Sequence, residues 1–166
     1  MNSLRLKWKS LSGGDWVAIA AGTRWTEKDI SGTDTLVFWL YSVEGLLSAD
    51  LPRVFMEDVT NAKTTKHLFS SWCNDLPAGA WVRVTIPMEV FLDAGDAVDF
   101  TRIKTIGFGQ NTSDGQQHTL FIDNMQVFTG NGTFAGLRKE YLQQGTTVIL
   151  NSCGIPTQNP AWVVII

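Results

Sequence analysis

Four flat aromatic side chains sit in polar or small-residue surroundings. Trp16 opens a run of small apolar residues, Trp25 and Trp72 lie in polar loops, and Phe55 stands between Arg53 and Glu57. Side chains alternate along a strand, so Arg53, Phe55 and Glu57 share one face of the run RVFMEDV. Gln110 and Asn111 add two planar amides just past Gly107-Phe108-Gly109. Apolar rings beside planar hydrogen-bonding groups suit a ligand with apolar faces and a rim of hydroxyls, which describes a sugar ring. Each residue also has a plainer role. Trp8 reads as core, and Trp39 and Trp81 as packing under covering chain. Arg53 and Glu57 would make a surface ion pair of little weight.

Other chemistries find less support. His67 and His118 are the two histidines, and neither sits in a serine or cysteine nucleophile motif. The chain has no phosphate loop, no HExxH motif and no cysteine pairs at metal spacing. Glycoside cleavage needs two carboxylates across a cleft. Glu57 is one candidate and Asp114 a distant second. A formal net charge of -3 without a basic stripe argues against nucleic acid. No apolar run is long enough to span a bilayer, and no signal-like segment opens the chain.

The elements that must hold these residues are short strands. SLRLKWK (3–9) alternates cleanly, with Leu4, Leu6 and Trp8 on one side and Arg5, Lys7 and Lys9 on the other, solvated side. Further strands are expected at 16–21, 35–42, 53–59, 65–69 and 81–87, with a hairpin turn at Thr60–Lys63. Two more, centred on Ile106 and Ile122, flank the polar loop 111–115. Both are apolar enough to be central. Eight short strands without a long amphipathic helix predict an all-β fold, a two-sheet antiparallel β-sandwich. In jelly-roll order the first sheet holds strands one, eight, three and six, and the second holds two, seven, four and five.

On the second sheet, Val17, Ile19 and Ala21 are taken as inward. Trp16, Ala18 and Ala20 then face out beside Gly107 and Gly109. The expectation is a low floor of Ala and Gly between walls carrying Trp16, Arg53, Phe55 and Glu57, extended by His67 and Phe69. Trp25, Trp72, Gln110 and Asn111 would close the ends.

Residues 1–128 form the expected sandwich, and 129–166 a linker and tail. The tail would cover the apolar face carrying Val37, Trp39, Tyr41 and Phe121, or supply an edge strand. Cys73 and Cys153 would pair in a secreted protein; two buried thiols is the preferred reading.

An ordered series of short matches is recognisable: DISGTDTL with Phe38-Trp39, LPAGAW with Val84, Ile86 and Pro87, DFTRIK with Ile106-Gly107-Phe108, and LFIDNM. The series resembles the jelly-roll carbohydrate-binding modules with a galactose-binding-like fold, attached to bacterial polysaccharide-degrading enzymes. The resemblance covers roughly Ser3 to Phe128. It implies a secreted, non-catalytic module of a larger enzyme, binding a polysaccharide along one concave sheet, with β-glucan the first expectation. It also implies a structural calcium between the first strand and the carboxylate matching Asp123. The opening strand that the family places ahead of Asn2–Lys9 has no counterpart, which gives the tail a strand to replace. The alternatives are a structural or protein-interaction sandwich, using the Val37/Trp39/Tyr41 face, and a small glycan-cleaving enzyme.

Overall fold

The computed structural model describes residues 3–9, 11–12, 16–21, 23–92, 97–129, 148–149 and 160–164. Eight strands form the body: β1 (Leu4–Lys9), β2 (Val17–Ala21), β3 (Thr35–Tyr41), β4 (Arg53–Asp58), β5 (His67–Leu68), β6 (Trp81–Pro87), β7 (Ile103–Gly109) and β8 (Gln117–Phe128). One helical turn, α1 (Glu89–Leu92), follows β6. Two short strands come later, β9 (Val148–Ile149) and β10 (Pro160–Val164).

The first sheet runs β1-β8-β3-β6-β9, with β10 also on β8, and the second runs β2-β7-β4-β5. This is the jelly-roll order expected from the sequence. Inward residues of the first sheet, among them Leu6, Phe38, Leu40, Val84 and Leu120, meet Val54, Met56, Ile106 and Phe108 of the second. Phe69 bridges the layers, 5.2 Å from the Phe38 ring and 5.9 Å from that of Phe108.

β8 explains how one strand serves two neighbours. Ile122 and Met125 are both core residues but stand three apart, which simple alternation forbids. A register shift against β3 absorbs the extra residue, and Asn124 takes φ 50° there. Below the shift β8 pairs with β1, from Gln117 to Ile122; above it, from Met125 to Phe128, it pairs with β10.

Val37 and Trp39, on the outer side of the first sheet, are buried. They therefore offer no exposed partner surface. Whether the rest of the tail covers them falls outside the described residues. Cys73 is buried, and its thiol donates to the Asn74 carbonyl at 3.2 Å. Cys153 lies outside the described residues.

Candidate functional site

The outer face of the second sheet follows from its register. Val17, Gly109, Arg53 and Leu68 form one row across the strands; Ile19, Gly107 and Phe55 form the next; Ala21, Thr105 and Glu57 the third. The alternate row of Ala18, Phe108 and Val54 packs into the core.

This reverses the expected facing of β2. Val17 and Ile19 are 50% and 40% exposed, whereas Ala18 packs on the core. Trp16 packs there too, half-buried, with its ring 5.2 Å from that of Trp8. It is not an outward wall. The reason is volume. Phe108 and Trp8 already fill the interior beside β2, so alanine fits between the layers and the branched residues face out.

The glycine floor stands, with one difference. A Cβ on Gly107 would lie 2.1 Å from Phe55 Cζ, so the Phe55 ring rests directly on that glycine. Phe55 points outward as expected, yet it is fully buried. The Nζ atoms of Lys63 and Lys66 each stand 5.9 Å from its ring centroid, capping it by cation–π contact. A ligand in the groove meets the lysine stems before it meets the ring. At Gly109, which is also buried, an added Cβ would make ordinary contacts at 3.4 Å with Lys66 Nζ and the Trp16 carbonyl oxygen, so the Lys66 side chain lies over the floor there.

The walls are charged and hydrogen-bonded. Glu57 binds Lys104 at 2.8 Å and Lys63 at 3.6 Å. The surface pair expected between Arg53 and Glu57 is therefore replaced by lysine partners. Lys104 also donates to Asn61 Oδ1. At the other end Arg53 Nε donates to Asn111 Oδ1 at 3.4 Å, and Asn111 Nδ2 donates to the Ala49 carbonyl at 2.9 Å. Gln110 Nε2 donates to the Leu11 carbonyl at 3.2 Å and to Ser113 Oγ at 2.9 Å. Both amides are thus fixed in orientation at the groove end.

Trp25 lies past the end of β2, on the side of the Glu57 row, and is 54% exposed. Arg24 and Trp25 both adopt left-handed backbone, with φ 59° and 57°. That conformation costs a bulky residue about 1–2 kcal/mol, and such strain gathers where a side chain must be presented. Trp72 is different: it packs on the core, edge-on to His67 at 6.2 Å. His67 also meets Phe91 edge-on, and Phe69 is fully buried, so neither extends a wall. Lys63, Lys66, Val17 and Ile19 are groove residues that the sequence reading left out. Large residues alternating with alanine beside a Phe-bearing strand were the available signal for the facing of β2.

The carboxylates do not form a catalytic pair. Glu57 is matched by two lysines. Burial pushes Asp114 up, but the Gln116 amide and the His118 ring outweigh it and hold it below the ordinary carboxylate range. Glycoside cleavage requires an acid shifted the other way.

Asp123 was the expected calcium ligand. Its Oδ1 accepts from the Asn124 amide at 2.7 Å, while Oδ2 is buried with no hydrogen-bond partner among the described residues. That orphaned oxygen is the atom a cation would use. The group of three metal-capable side chains found among the described residues is elsewhere: Asp50, Asp114 and His118.

Residues 1–129 match the family described as carbohydrate binding domain 30. The chain belongs to this family. A curated relative, the exo β-1,2-glucooligosaccharide sophorohydrolase (non-reducing end) of Parabacteroides distasonis, is 25% identical over 128 residues, covering 76% of this chain and 18% of the relative. The crystal structure of a β-1,2-glucanase from the same organism superposes with a TM-score of 0.67 at 23% identity, covering 80% of this chain and 19% of that one. The family 30 module of a cellulosomal cellulase from Clostridium thermocellum gives a TM-score of 0.62 at 18% identity, covering 78% of this chain and 76% of that one. The family 11 module of C. thermocellum, solved with a β-1,3-1,4-mixed-linked tetrasaccharide, gives 0.53 at 16% identity, with 77% and 76% covered. This chain therefore spans under a fifth of each of the two P. distasonis proteins, and most of an isolated module. The family 30 domain described here is a non-catalytic carbohydrate-binding module. Among its described residues no helix is long and apolar enough to cross a membrane.

Proposed function

We propose that this family 30 domain holds a β-linked glucan chain along the outer face of β2-β7-β4, as part of a secreted polysaccharide-degrading enzyme. One observation carries the reading. The register sets two glycines between an exposed aliphatic strip, Val17 and Ile19, and a charged wall, Arg53 and Glu57 with their partners. The glycines keep this strip low by letting Phe55 and the Lys66 stem lie flat on it, so a polymer along the face meets Val17, Ile19 and the lysine stems between the walls. The aliphatic strip and Trp25 can meet sugar faces, and Arg53, Asn111 and Glu57 can meet the hydroxyl rim. β-Glucan as the ligand class is supported by the names of the relatives, which concern β-1,2-glucans, a cellulase and a mixed-linkage glucan.

Affinity electrophoresis against β-1,2-, β-1,4- and mixed-linkage β-glucans, xylan and mannan tests this. Retardation by at least one β-glucan without release of reducing ends is expected. Trp25→Gly should weaken it about tenfold, since a stacking ring contributes up to ~1.5 kcal/mol. The same change relieves a left-handed backbone, so stability should hold or rise by about 1 kcal/mol. No retardation by any β-glucan would end the proposal, and so would release of reducing ends.

A further inference from the structure

We infer that a second saccharide site, for a sugar bearing a single carboxylate, lies on the opposite side of the sandwich, on the outer face of the first sheet. A cavity of about 490 Å³ opens there between β1, the start of β8 and the 42–46 loop. That volume lies within the roughly 300–1,000 Å³ typical of small-ligand pockets. It shares no lining residue with the groove of the second sheet.

Its floor is set by strand register. Arg5 stands directly opposite Phe121, and Lys7 opposite Thr119. Side chains so placed sit side by side on one face. Arg5 and Lys7 are exposed and make no ion pair or hydrogen bond among the described residues. Both cations stand beside an aromatic ring, with Glu44 the carboxylate among the lining residues. Phe121 is held in place: it meets Tyr41 edge-on at 5.8 Å, and Tyr41 in turn lies 5.2 Å from Trp81.

The facing wall is built rather than loose. Gly45 takes φ 83°, and a Cβ there would lie 3.0 Å from the Leu76 carbonyl. Ser42 Oγ donates to the Gly45 carbonyl at 3.0 Å, and Leu46 and Leu76 exchange backbone hydrogen bonds at 3.1 and 2.8 Å. The pocket is therefore preformed, which lowers the ordering cost of binding.

Chemistry selects the occupant. A guanidinium fork and an ammonium beside each other match a carboxylate. The Phe121 ring offers a face for an apolar ring surface, and Gln117 and Thr119 offer partners for hydroxyls. Glu44 also lines the pocket. It accepts from hydroxyls but repels additional negative charge, which disfavours phosphate, sulfate and polyanionic peptide. A uronic-acid residue meets all four conditions.

NMR titration of the whole chain with a short oligouronate of one carboxylate, an otherwise neutral oligosaccharide carrying a single uronic-acid residue, tests the site, with a wholly neutral gluco-oligosaccharide and a short polyglutamate peptide as comparisons. The expected result is saturable shifts at Arg5, Lys7, Gln117, Thr119 and Phe121 with the oligouronate. Arg5→Glu with Lys7→Glu should weaken binding by about tenfold or more, as loss of charge-assisted hydrogen bonds requires. Both positions are exposed, so an unchanged melting temperature should accompany the loss. Phe121→Leu, which keeps the charges, should weaken it as well. Trp25→Gly should leave it unchanged, which separates this site from the groove. The inference is overturned by absence of saturable oligouronate binding, by binding insensitive to the paired charge reversal, or by loss with Trp25→Gly. Equal shifts of the same residues by the peptide or by the neutral sugar overturn it too.

Discussion

Replacing Gly107 with alanine puts a methyl carbon 2.1 Å from Phe55 Cζ and 2.5 Å from both Cε atoms. Carbon atoms in contact stay about 3.5–4.0 Å apart, so something must move by roughly 1.5 Å. The backbone at Gly107 is paired on both sides, to Ile19 and to Phe55 itself, and is held in place. The ring is the part that can leave. It then gives up full burial, at about 1.5–3 kcal/mol, together with its two lysine contacts at ~0.5–1 kcal/mol each. Less the ~0.5–1 kcal/mol that replacing a strand glycine returns, the expected destabilisation is about 2–4 kcal/mol, or roughly 5–15 °C in melting temperature for a domain of this size. The assay is a double-mutant cycle in urea, followed by tryptophan fluorescence. In a Phe55→Ala background the obstacle is gone, and Gly107→Ala should be neutral or stabilising by ~0.5–1 kcal/mol, since glycine weakens a strand interior. A coupling energy of about 2–5 kcal/mol is therefore expected. Equal costs of Gly107→Ala in both backgrounds would refute the idea that the ring lies on the glycine.

Gly109 gives the opposite expectation, because its nearest neighbours would stand 3.4 Å from an added Cβ. Gly109→Ala should change stability by less than about 1 kcal/mol, and Gly109→Leu should lower β-glucan retardation by raising the floor; undiminished retardation would place the polymer elsewhere. Asp58 should set part of the acid stability. It is buried and accepts from Thr60 N, Thr60 Oγ1, Ala62 N and Asp99 N at 2.7–3.1 Å. Burial pushes its carboxyl up, but the Asp99 amide and the Thr60 and Ala62 donors outweigh it and hold it below its ordinary 3.8. A lowered folded-state value gives stability that is complete above the unfolded value and lost as pH falls through the folded one. Urea melts between pH 6 and about pH 2 should show that loss, and Asp58→Asn should flatten it; an unchanged slope would count against the assignment. Calcium added after chelation should raise the melting temperature of the parent chain but not of Asp123→Ala. Equal shifts in both would remove Asp123 Oδ2 as a ligand atom.

Alternation along β1 and β6 gave those strands and their inward residues, because one face of each is strongly apolar and the other carries polar or charged residues. β2 was not legible in that way. Trp16-Val-Ala-Ile-Ala-Ala is apolar on both faces, so a period of two tells which residues share a face but not which face is buried. Packing decided it, by asking which set fits beside Trp8 and Phe108. Phe55 shows the same limit from the other side. Its outward direction follows from the strand pattern, but its burial depends on Gly107 beneath and Lys63 and Lys66 above, none of them adjacent in sequence.

The amino-acid order thus determined a β-sandwich of this strand sequence, a glycine-bearing outer face and the absence of nucleophile and metal motifs. All of these rest on local spacing. The tertiary structure decided which residues line the groove, which aromatic ring is reachable and which cations pair with Glu57. Those are settled between strands far apart in the chain, where volume and register, rather than residue type, determine what reaches the surface.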